Sequence, residues 1–372
     1  MTCVVALDVG GTSMKGAVVS RSYDLLVAER RPTGRSRGPS AVVAAILDFA
    51  AHLVARAPAP VAAVGVAVPG IVDDASGTAV YSANLAWRDV PMRRLLADRL
   101  GLPVVVAHDV RTGGVAEATL GAGRGVDDFL FLPIGTGVSA ALMLSGRPYP
   151  GPTGAVGELG HIIVRPGGLP CACGQQGCLE AYASAAALSR RYSPPPATPG
   201  TADTPPTQTA ADTPAQTAPT ASAPTSDAAQ KTTSTQTVPT EGVRTGGAEQ
   251  EAVPTQALPT ESAQTSDAAR GVSAEEVVRR AVGGEAAAVR VWEDALDALA
   301  DGLHAATMVI DPSLIVVGGG LAESGDLLLG PLAERLAARF TFREAPRLTQ
   351  AELGDRAAML GAAVLAWQAA ER

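Results

Sequence analysis

Aromatic side chains are scarce in this sequence of 372 residues, in which Phe, Trp and Tyr together make up 3% of the chain. The hydrophobic fraction is nevertheless 47%, so the interior has to be built mainly from Ala, Val and Leu. Because these side chains are short, packed elements should approach one another closely. The length is sufficient for two domains of about 100–200 residues each.

Long apolar runs are also lacking. No run reaches the roughly 18 residues that suggest a membrane span, and the apolar start at residues 3–7 is shorter than the hydrophobic region of a secretory signal. We therefore expect a cytoplasmic protein that does not contact a membrane. The formal net charge of −8 argues against a nucleic-acid partner, since such proteins need a basic face.

Cysteine is rare, and three of the four cysteines fall within residues 171–178, which read CACGQQGC. In a reducing compartment such a cluster more often binds a metal than forms disulfides. The segment 157–161 reads GELGH and adds an imidazole just upstream. One imidazole and three thiolates form the tetrahedral ligand set of a closed zinc site, which predicts structural Zn²⁺. The predicted ligands are His161, Cys171, Cys173 and Cys178.

Large apolar residues almost disappear between residues 194 and 270, where Pro, Thr, Ala, Ser and Gln predominate. The string TSDAA occurs at residues 225–229 and again at 265–269, which indicates duplicated low-complexity sequence. Such a composition buries too little surface to offset the entropy of ordering. We interpret residues 194–270 as a disordered surface insertion, with a dedicated binding tail as the alternative.

Strand patterns alternate with helix patterns in the rest of the chain, which predicts an α/β protein. Glycine turns interrupt two predicted hairpins, one in each half, and suggest two related domains that face one cleft. We predict an N-terminal domain formed by residues 1–120 and 355–372. The C-terminal domain is predicted to comprise residues 121–354 and to carry both the zinc site and the insertion.

Three glycine-rich segments follow predicted strands: DVGGTSMK at residues 8–15, IGTG at 134–137 and DPSLIVVGGG at 311–320. Glycines allow backbone N–H groups to approach an anion without obstruction by a Cβ atom. A strand, a glycine run and a helix can likewise form the floor of a nucleotide site. The alternative interpretation is that each is an ordinary tight turn.

His108 and Asp109 directly follow a predicted strand and precede a predicted helix. Ligands of open α/β sheets bind beyond the carboxyl ends of the strands. A carboxylate at this place can accept the proton of an attacking hydroxyl group. The alternative is a helix N-cap, for which Asp is favoured.

Taken together, these motifs resemble those of the ROK family of repressors and sugar kinases, over essentially the whole chain except the insertion. The resemblance implies an actin/hexokinase-like (ribonuclease H-like) two-domain α/β fold with a central cleft. It also implies a glucokinase-like enzyme of actinobacterial type that phosphorylates a hexose with ATP and Mg²⁺. Relatives are commonly dimers or tetramers, so a homo-oligomer is expected.

The resemblance also implies roles for the residues of this sequence that match the family's motif positions. Asp109 stands where the family has its catalytic base, and Mg²⁺ is expected near Asp8. Positions that match the sugar site are Gly70, Asn84, His108, Gly137, Glu158, His161 and Glu180. Positions that match the ATP site are Asp8, Gly10, Gly11, Thr12, Lys15, Gly135, Thr136, Gly318, Gly319 and Gly320. His161 is expected to serve twice, with one ring nitrogen on zinc and the other toward the sugar.

Two departures bear on the substrate. His108 replaces the family's usual Asn, which contacts a sugar hydroxyl, and VSAA at residues 138–141 replaces a glycine-rich continuation. Glucose remains the first expectation, followed by an N-acetylhexosamine or another amino sugar, and then by a non-catalytic sugar sensor. A repressor is disfavoured, because the first strand begins at Cys3 and leaves no room for a preceding helix-turn-helix.

We predict that deleting residues 194–270 leaves the melting temperature and the activity nearly unchanged. The segment offers few apolar side chains for packing, and the entropy of loop closure grows only slowly with length. Thermal unfolding and activity of the full-length and shortened chains measure the effect. A large loss of soluble protein on deletion would show that the segment packs against the rest of the chain.

Overall fold

A computed structural model describes residues 2–192 and 272–372 of the chain. The predicted disordered insertion, residues 194–270, lies outside the described residues. Among the described helices, none combines the length and the apolar character that a membrane crossing requires. The elements of the first part of the chain are β1 (Cys3–Val9), β2 (Ser13–Val19), β3 (Leu25–Pro32), α1 (Pro39–Arg56), β4 (Val61–Val68), β5 (Ile71–Asp73), β6 (Thr78–Ser82), β7 (Trp87–Val90), α2 (Met92–Leu100), β8 (Val104–His108) and α3 (Asp109–Leu120).

The second part contains a second set of strands and most of the helices. Its elements are β9 (Phe129–Pro133), β10 (Ala141–Leu144), β11 (Arg147–Pro148), α4 (Glu180–Ala183), α5 (Ala185–Tyr192), α6 (Ala274–Val282), α7 (Ala286–Ile310), β12 (Leu314–Gly318), α8 (Asp326–Ala337), β13 (Arg347–Gln350) and α9 (Ala357–Ala370). Just before β10, the N–H group of Ala140 donates to the carbonyl oxygen of Gly157, and that of Val138 donates to the Glu180 carboxylate.

Two five-stranded sheets share one topology. The first has the order β3-β2-β1-β4-β8 and the second the order β11-β10-β9-β12-β13. In each sheet the first three strands form antiparallel hairpins, and the remaining two join in parallel. The predicted resemblance between the two halves is therefore present in the strand order. A third, small sheet of β5, β6 and β7 was not predicted, because its strands are only three to five residues long.

Helix α9 packs against both large sheets. Met359, Ala363 and Trp367 join a buried cluster with β1, β2 and β4 of the first sheet. Val364 belongs to a second buried cluster, which contains Phe129 and other residues of the second sheet. The C-terminal helix therefore returns to the first sheet, as the predicted grouping of residues 355–372 with residues 1–120 requires. The full division into two domains stays a prediction.

Glycine permits the close approach of α9 to its neighbours. A Cβ atom built on Gly361 would lie 1.8 Å from the carbonyl oxygen of Thr112 in α3. One built on Gly65 of β4 would lie 2.0 Å from the carbonyl oxygen of Ala362. Real Cβ atoms do not approach backbone oxygens this closely, so α9 touches α3 and β4 backbone to backbone.

Glu117 joins the two segments that pass between the sheets. Its side chain is fully buried near the end of α3. One carboxylate oxygen accepts hydrogen bonds from the backbone N–H groups of Ala122 (2.8 Å) and Glu352 (3.2 Å), and the other accepts one from Leu353 (3.0 Å). Ala122 belongs to the segment between α3 and β9, and Leu353 to the segment between β13 and α9. The Glu117 carboxylate therefore holds both of the segments that connect the two large sheets.

Replacement of Glu117 by Gln is expected to lower the free energy of unfolding by about 1–3 kcal/mol, because at least one buried N–H group then faces an amide NH₂ group. Chemical denaturation measures the loss. Glu352→Gln is the matched control, since Glu352 is exposed and contributes only its backbone N–H to this cluster. Equal stability of the two variants would contradict the role given to the Glu117 carboxylate.

Candidate functional site

The carboxyl ends of β1, β4 and β8 lie at one edge of the first sheet. The three strands are parallel neighbours, with Asp8 level with Ala67 of β4 and Val68 level with His108 of β8. Asp8 and Asp109 therefore reach the same edge, where ligands of such sheets bind. The structure thus brings together the predicted Mg²⁺-associated carboxylate and the predicted base.

Asp109 is the first residue of α3, and His108 takes the N-cap position without a side-chain capping bond. Oδ1 of Asp109 accepts a hydrogen bond of 2.7 Å from the N–H group of Val110. The other carboxylate oxygen has no hydrogen-bond partner within the described ranges. The carboxylate therefore does not make the usual N-cap bond to an N–H group two or three residues on, and one oxygen is left for a ligand.

Burial raises the pKa of both carboxylates. The pKa of Asp109 rises to about 6, chiefly through desolvation, and is held back by the N–H group of Val110 and the charge of Arg111. The pKa of Asp8 rises to about 7 through desolvation and then through the negative charge of Asp109, while Lys15 opposes the rise. Both groups therefore titrate near neutral pH, as expected for carboxylates that exchange protons or bind a cation.

The first glycine turn, at residues 10–13, is closed by backbone bonds. The N–H group of Gly10 donates to the carbonyl oxygen of Ser13 at 3.0 Å, and the hydroxyl group of Thr33 donates to the carbonyl oxygen of Gly10 at 2.7 Å. Lys15 pairs with Asp8 in the hairpin register. Its ammonium group donates to the backbone oxygen of Asp355 at 2.5 Å and lies 3.0 Å from the Asp355 carboxylate.

Asp355 was missed by the sequence analysis. It precedes α9 and lies 340 residues from Lys15, and no local pattern marks it. Its negative charge also raises the pKa of Asp8. The lysine predicted to bind phosphate is thus paired with a carboxylate beside the segment that returns to the first sheet.

The second glycine turn meets the third glycine segment. Ile134 and Val138 form an antiparallel bridge, and the N–H group of Gly135 donates to the carbonyl oxygen of Gly137 at 2.9 Å. The N–H group of Ile134 donates to the carbonyl oxygen of Gly318 at 2.8 Å. The predicted phosphate turn and the predicted adenosine border, Gly318 to Gly320, are therefore one hydrogen-bonded unit.

Glu180 stands at the start of α4 and faces this turn. Its Oε2 atom accepts a 2.9 Å hydrogen bond from the N–H group of Val138. A Cβ atom built on Gly137 would lie 2.5 Å from the same oxygen. Glycine at position 137 therefore lets the Glu180 carboxylate lie against the turn, which explains why these two predicted sugar-site positions occur together.

The GELGH segment is held against the backbone of residues 138–140. Gly157 has a φ of +109°, and a Cβ atom there would lie 1.9 Å from the carbonyl oxygen of Ala140. Glu158 and His161 follow, with their side chains 3.9 Å apart. The negative charge of Glu158 raises the pKa of Asp109 and of His108, so this segment acts on the edge of the first sheet.

Two predicted sugar-site residues lie on the small sheet or its turns. Gly70 has a φ of +97°, and a Cβ atom there would lie 2.1 Å from the carbonyl oxygen of Tyr81. The Cβ atom of Asn84 lies 4.0 Å from the place where a Cβ atom on Gly11 would stand. Asn84 therefore approaches the first glycine turn, although 73 residues separate the two in sequence.

Arg111 was not predicted as a site residue. Its guanidinium group is buried one turn into α3. It donates to the carbonyl oxygens of Gly154 at 3.0 Å and Val72 at 3.3 Å, and to Oδ1 of Asp74 at 3.1 Å. These bonds tie the small sheet and the loop before the GELGH segment to the helix that carries Asp109.

The four predicted zinc ligands converge. Their ligand atoms all lie within 4.8 Å of one another, with 3.7 Å between Sγ of Cys171 and Nδ1 of His161, and 3.6 Å between the sulfurs of Cys173 and Cys178. Zn–S bonds of about 2.3 Å and Zn–N bonds of about 2.1 Å in a tetrahedron require ligand separations of about 3.6–3.8 Å. The residues present therefore fit a zinc ion.

The electrostatics of the cluster agree with this interpretation. Burial, and then the neighbouring thiols of Cys173 and Cys171, raise the pKa of Cys178 to about 12. Burial also raises the pKa of Cys171. A divalent cation reverses such a shift, because a coordinating thiol is deprotonated outright. With Nδ1 of His161 facing Cys171, the Nε2 atom is left on the side of Glu158.

Comparisons with known proteins bear on this arrangement. A family model described as ROK family matches residues 4–235 and 251–369. The glucokinase of Streptomyces coelicolor is 28% identical over 98% of this chain and 98% of its own length. The structure of a ROK family glucokinase from Streptomyces griseus in complex with glucose and AMPPNP superposes with a TM-score of 0.69. The aligned region covers 98% of this chain and 99% of that one, and the two sequences are 25% identical. A ROK hexokinase from Thermus thermophilus is 27% identical, with a TM-score of 0.69 and 99% of each chain covered.

The chain therefore belongs to the ROK family, as its motifs predicted. The likeness to these two structures, together with the paired sheets, confirms the predicted actin/hexokinase-like α/β fold.

Proposed function

We propose that this protein transfers the γ-phosphoryl group of ATP to a hydroxyl group of a hexose, with glucose as the substrate and glucose 6-phosphate as the product. The observation that carries the proposal is Asp109, a half-buried carboxylate just beyond the carboxyl end of β8, where desolvation raises its pKa to about 6. Such a group is poised to accept the proton of a sugar hydroxyl at neutral pH.

The class of the enzyme, an ATP-dependent sugar kinase, is the one predicted from the sequence. The full-length match to the glucokinase of S. coelicolor supports this class. So does the likeness to the S. griseus enzyme, which was crystallised with glucose and AMPPNP. Within the class, glucose is our first candidate because both of these relatives are named glucokinases. The cytoplasmic location and the assembly into a dimer or tetramer stay predictions.

Asp109 performs the acid–base step. A sugar hydroxyl is a poor nucleophile while it keeps its proton, and phosphoryl transfer proceeds as that proton is removed. One oxygen of Asp109 is fixed by the N–H group of Val110, and the other takes the proton. The other requirement of phosphoryl transfer is to position the phosphates and to offset their charge.

The glycine turns and Lys15 meet that second requirement. Space is open beside Gly11 and Gly135, where a Cβ atom would meet only the Cβ atom of Asn84 at 4.0 Å, so a phosphate could approach the backbone of both turns. Lys15 supplies a positive charge once it exchanges its Asp355 partner for a phosphate. The half-buried Asp8 carboxylate makes no hydrogen bond within the described ranges and suits Mg²⁺, an oxygen-seeking cation that neutralises phosphate charge.

The zinc ion that fits the cluster would have a structural role and would not take part in the reaction. All four ligands come from the protein, which is typical of structural sites. Bound through Nδ1, it would fix the ring of His161 so that Nε2 faces the Glu158 side. Glu158 and His161 of the GELGH segment and Glu180 of α4 would then contact the sugar from one side, with Asp109 and Asn84 on the other.

The choice of sugar is tested with a panel of hexoses and N-acetylhexosamines in a coupled assay of ADP release. We expect the highest kcat/KM with glucose. A preference for an N-acetylhexosamine would transfer the proposal to amino sugars, as the substitution of His108 for the usual Asn allows. Binding of a sugar without ADP release would identify a sensor.

Asp109→Asn is expected to lower kcat by roughly 10²–10⁴-fold, the contribution of a general base. The change preserves the shape of the side chain, so the melting temperature and the affinities for ATP and sugar should remain near their normal values. Steady-state kinetics and thermal unfolding of the same preparation measure both. Asp98→Asn is the matched control, since it makes the same change at an exposed aspartate of α2. Near-normal turnover of Asp109→Asn would exclude Asp109 as the base.

We expect one zinc ion per chain in protein purified without chelators, as elemental analysis would show. Its removal should loosen residues 157–180 without unfolding the chain, since only Cys171 of the four ligands packs against the buried cluster of the second sheet, and the buried cluster of the first sheet contains none of them. Hydrogen exchange before and after chelation measures this. Cys3→Ser is the control, because Cys3 lies in the core of β1 and its loss should leave the zinc content at one. Protein without stoichiometric zinc would contradict the assignment.

A further inference from the structure

Arg111 is a buried cation in the first turn of α3, two residues after the proposed base. Only 2% of the residue is exposed, so solvent screens its charge weakly. A guanidinium group stays charged in proteins. Cations are disfavoured at a helix N-terminus, where the backbone dipoles present positive charge, and the burial of a cation carries a desolvation cost. The charge therefore lies where it lowers stability, unless a neighbouring group depends on it.

The partners of the guanidinium group neutralise it only in part. Its two terminal nitrogens donate to the carbonyl oxygens of Gly154 at 3.0 Å and Val72 at 3.3 Å, and to Oδ1 of Asp74 at 3.1 Å. The first two acceptors are uncharged, and the third belongs to a carboxylate whose side chain is 40% exposed. The Nε atom is buried without a partner in the described part of the chain. A net positive charge therefore remains beside the start of α3.

That charge acts on Asp109. Burial raises the pKa of the Asp109 carboxyl to about 6, against the N–H group of Val110 and the charge of Arg111, which both lower it. Burial and then the charge of Arg111 lower the pKa of His108 to about 4, so the imidazole is neutral at physiological pH. The histidine next to the proposed base therefore adds no positive charge, and Arg111 supplies it.

Negative charges approach Asp109 from other elements. Glu158 of the GELGH segment raises its pKa, and Asp109 in turn raises the pKa of Asp8 in β1. Asp355, before α9, also raises the pKa of Asp8, whereas Lys15 lowers it. Lys15 is already paired with Asp355. An ionised Asp109 therefore adds to an accumulation of negative charge, which a fixed cation offsets.

The hydrogen bonds of Arg111 also fix the geometry around the base. Val72 lies in β5 of the small sheet, and Gly154 lies in the loop shortly before Glu158. Both segments carry or adjoin predicted sugar-site positions. Because one rigid, planar group bonds to both, the start of α3 is held at a set distance from each of them.

We propose that Arg111 is a positioning residue for the proposed base: its guanidinium group holds the first turn of α3 against the small sheet and the loop before Glu158, and its charge keeps the Asp109 carboxylate ionised. The inference rests on the proposed function, because it takes Asp109 to be the base. Asp74 then limits the charge that Asp109 experiences, since it is the acidic partner of Arg111 among the described residues.

Two variants should move the pH profile in opposite directions. Arg111→Met keeps the length of the side chain and removes its charge, so the acid limb of the kcat/KM profile should move upward by roughly one pH unit. Asp74→Asn keeps an oxygen acceptor and removes a negative charge, so the limb should move downward. This second shift should be roughly 0.2–0.5 pH unit, because solvent screens a half-exposed carboxylate. Asp98→Asn, the exposed control in α2, should leave the limb in place.

Arg111→Lys separates the charge from the geometry. Lysine keeps the positive charge but cannot reproduce the planar fork that bonds to two segments. We expect the acid limb to stay near that of the wild type, while kcat/KM on the plateau falls roughly tenfold through poorer placement of the base. Arg111→Met should show both the lower plateau and the shifted limb.

A merely structural role for Arg111 gives a different pattern. It predicts lower melting temperatures for the two Arg111 variants and an acid limb that moves in none of the variants. That pattern would overturn the proposal, and so would an upward or absent shift in Asp74→Asn. Because Asp74 is half-exposed, its variant tests the proposal even when Arg111→Met does not fold.

Carbon NMR of protein labelled with ¹³C at the aspartate carboxyl groups tests the charge without turnover. With the Asp109 signal assigned by its loss in Asp109→Asn, we expect its titration midpoint to be lower in Asp74→Asn and higher in Arg111→Met than in the wild type. Equal midpoints would overturn the proposal, even in an active sugar kinase. If no hexose is phosphorylated but the midpoints differ as expected, the proposed function fails while the action of Arg111 on Asp109 stands.

Discussion

The contact between α3 and α9 is the constraint on which the rest of the structure depends. The two helices meet where Gly361 lies against the carbonyl oxygen of Thr112, at a separation that no larger residue permits. Thr112 stands three residues after Asp109, so the position of the proposed base depends on this helix contact. The same helix α9 packs on both large sheets. A shift of α9 would therefore move Asp109 relative to each sheet.

Electrostatics at the sheet edge follow from that packing. The elements that meet there carry Asp8, Asp109, Asp355 and Glu158, and few cations accompany them. Burial raises the pKa values of Asp8 to about 7 and of Asp109 to about 6, aided by the charges of Asp109 and Asp355 at Asp8 and by that of Glu158 at Asp109. Such an accumulation of negative charge destabilises the folded chain at neutral pH, and it is relieved by protons, by Lys15, or by cations that arrive with a nucleotide. The destabilisation and the capacity to take up a proton have the same physical origin.

Two sets of hydrogen bonds, made by Glu117 and Arg111, hold this charged edge in position relative to neighbouring segments. Glu117 fixes both segments that pass between the sheets through backbone N–H groups. Arg111 ties α3 to the small sheet and to the loop before Glu158. Neither residue needs to contact a substrate. Each makes the geometry of the sheet edge that carries Asp8 and Asp109 depend on segments distant in sequence.

Short sequence motifs were enough to predict much of the candidate site. The glycine turns at residues 10–13 and 135–137, the strand end before Asp109 and the set of one histidine and three cysteines each carry their signal within a few residues. The structure places them as that signal predicts, because turn geometry and metal-ligand spacing are short-range properties of the chain. The repeated hairpins also predicted two related sheets, since period-two patterns and glycine turns determine strands locally. The small sheet was not predicted, because strands of three to five residues are too short to show a clear alternation of apolar and polar residues.

Only the tertiary structure decided the partners of those residues. Lys15 meets Asp355 across 340 residues of sequence, Glu117 meets Leu353 across 236, and Arg111 meets Gly154 across 43. Nothing in the sequence around either member of such a pair marks the other, because long-range contacts are selected by the packing of whole elements. The pKa values of Asp8, His108 and Asp109 were inaccessible for the same reason, since burial and nearby charge exist only in the folded chain. The amino-acid sequence alone determined which chemical groups are available and which turns present them, whereas the fold determined which groups face each other and how strongly each holds its proton.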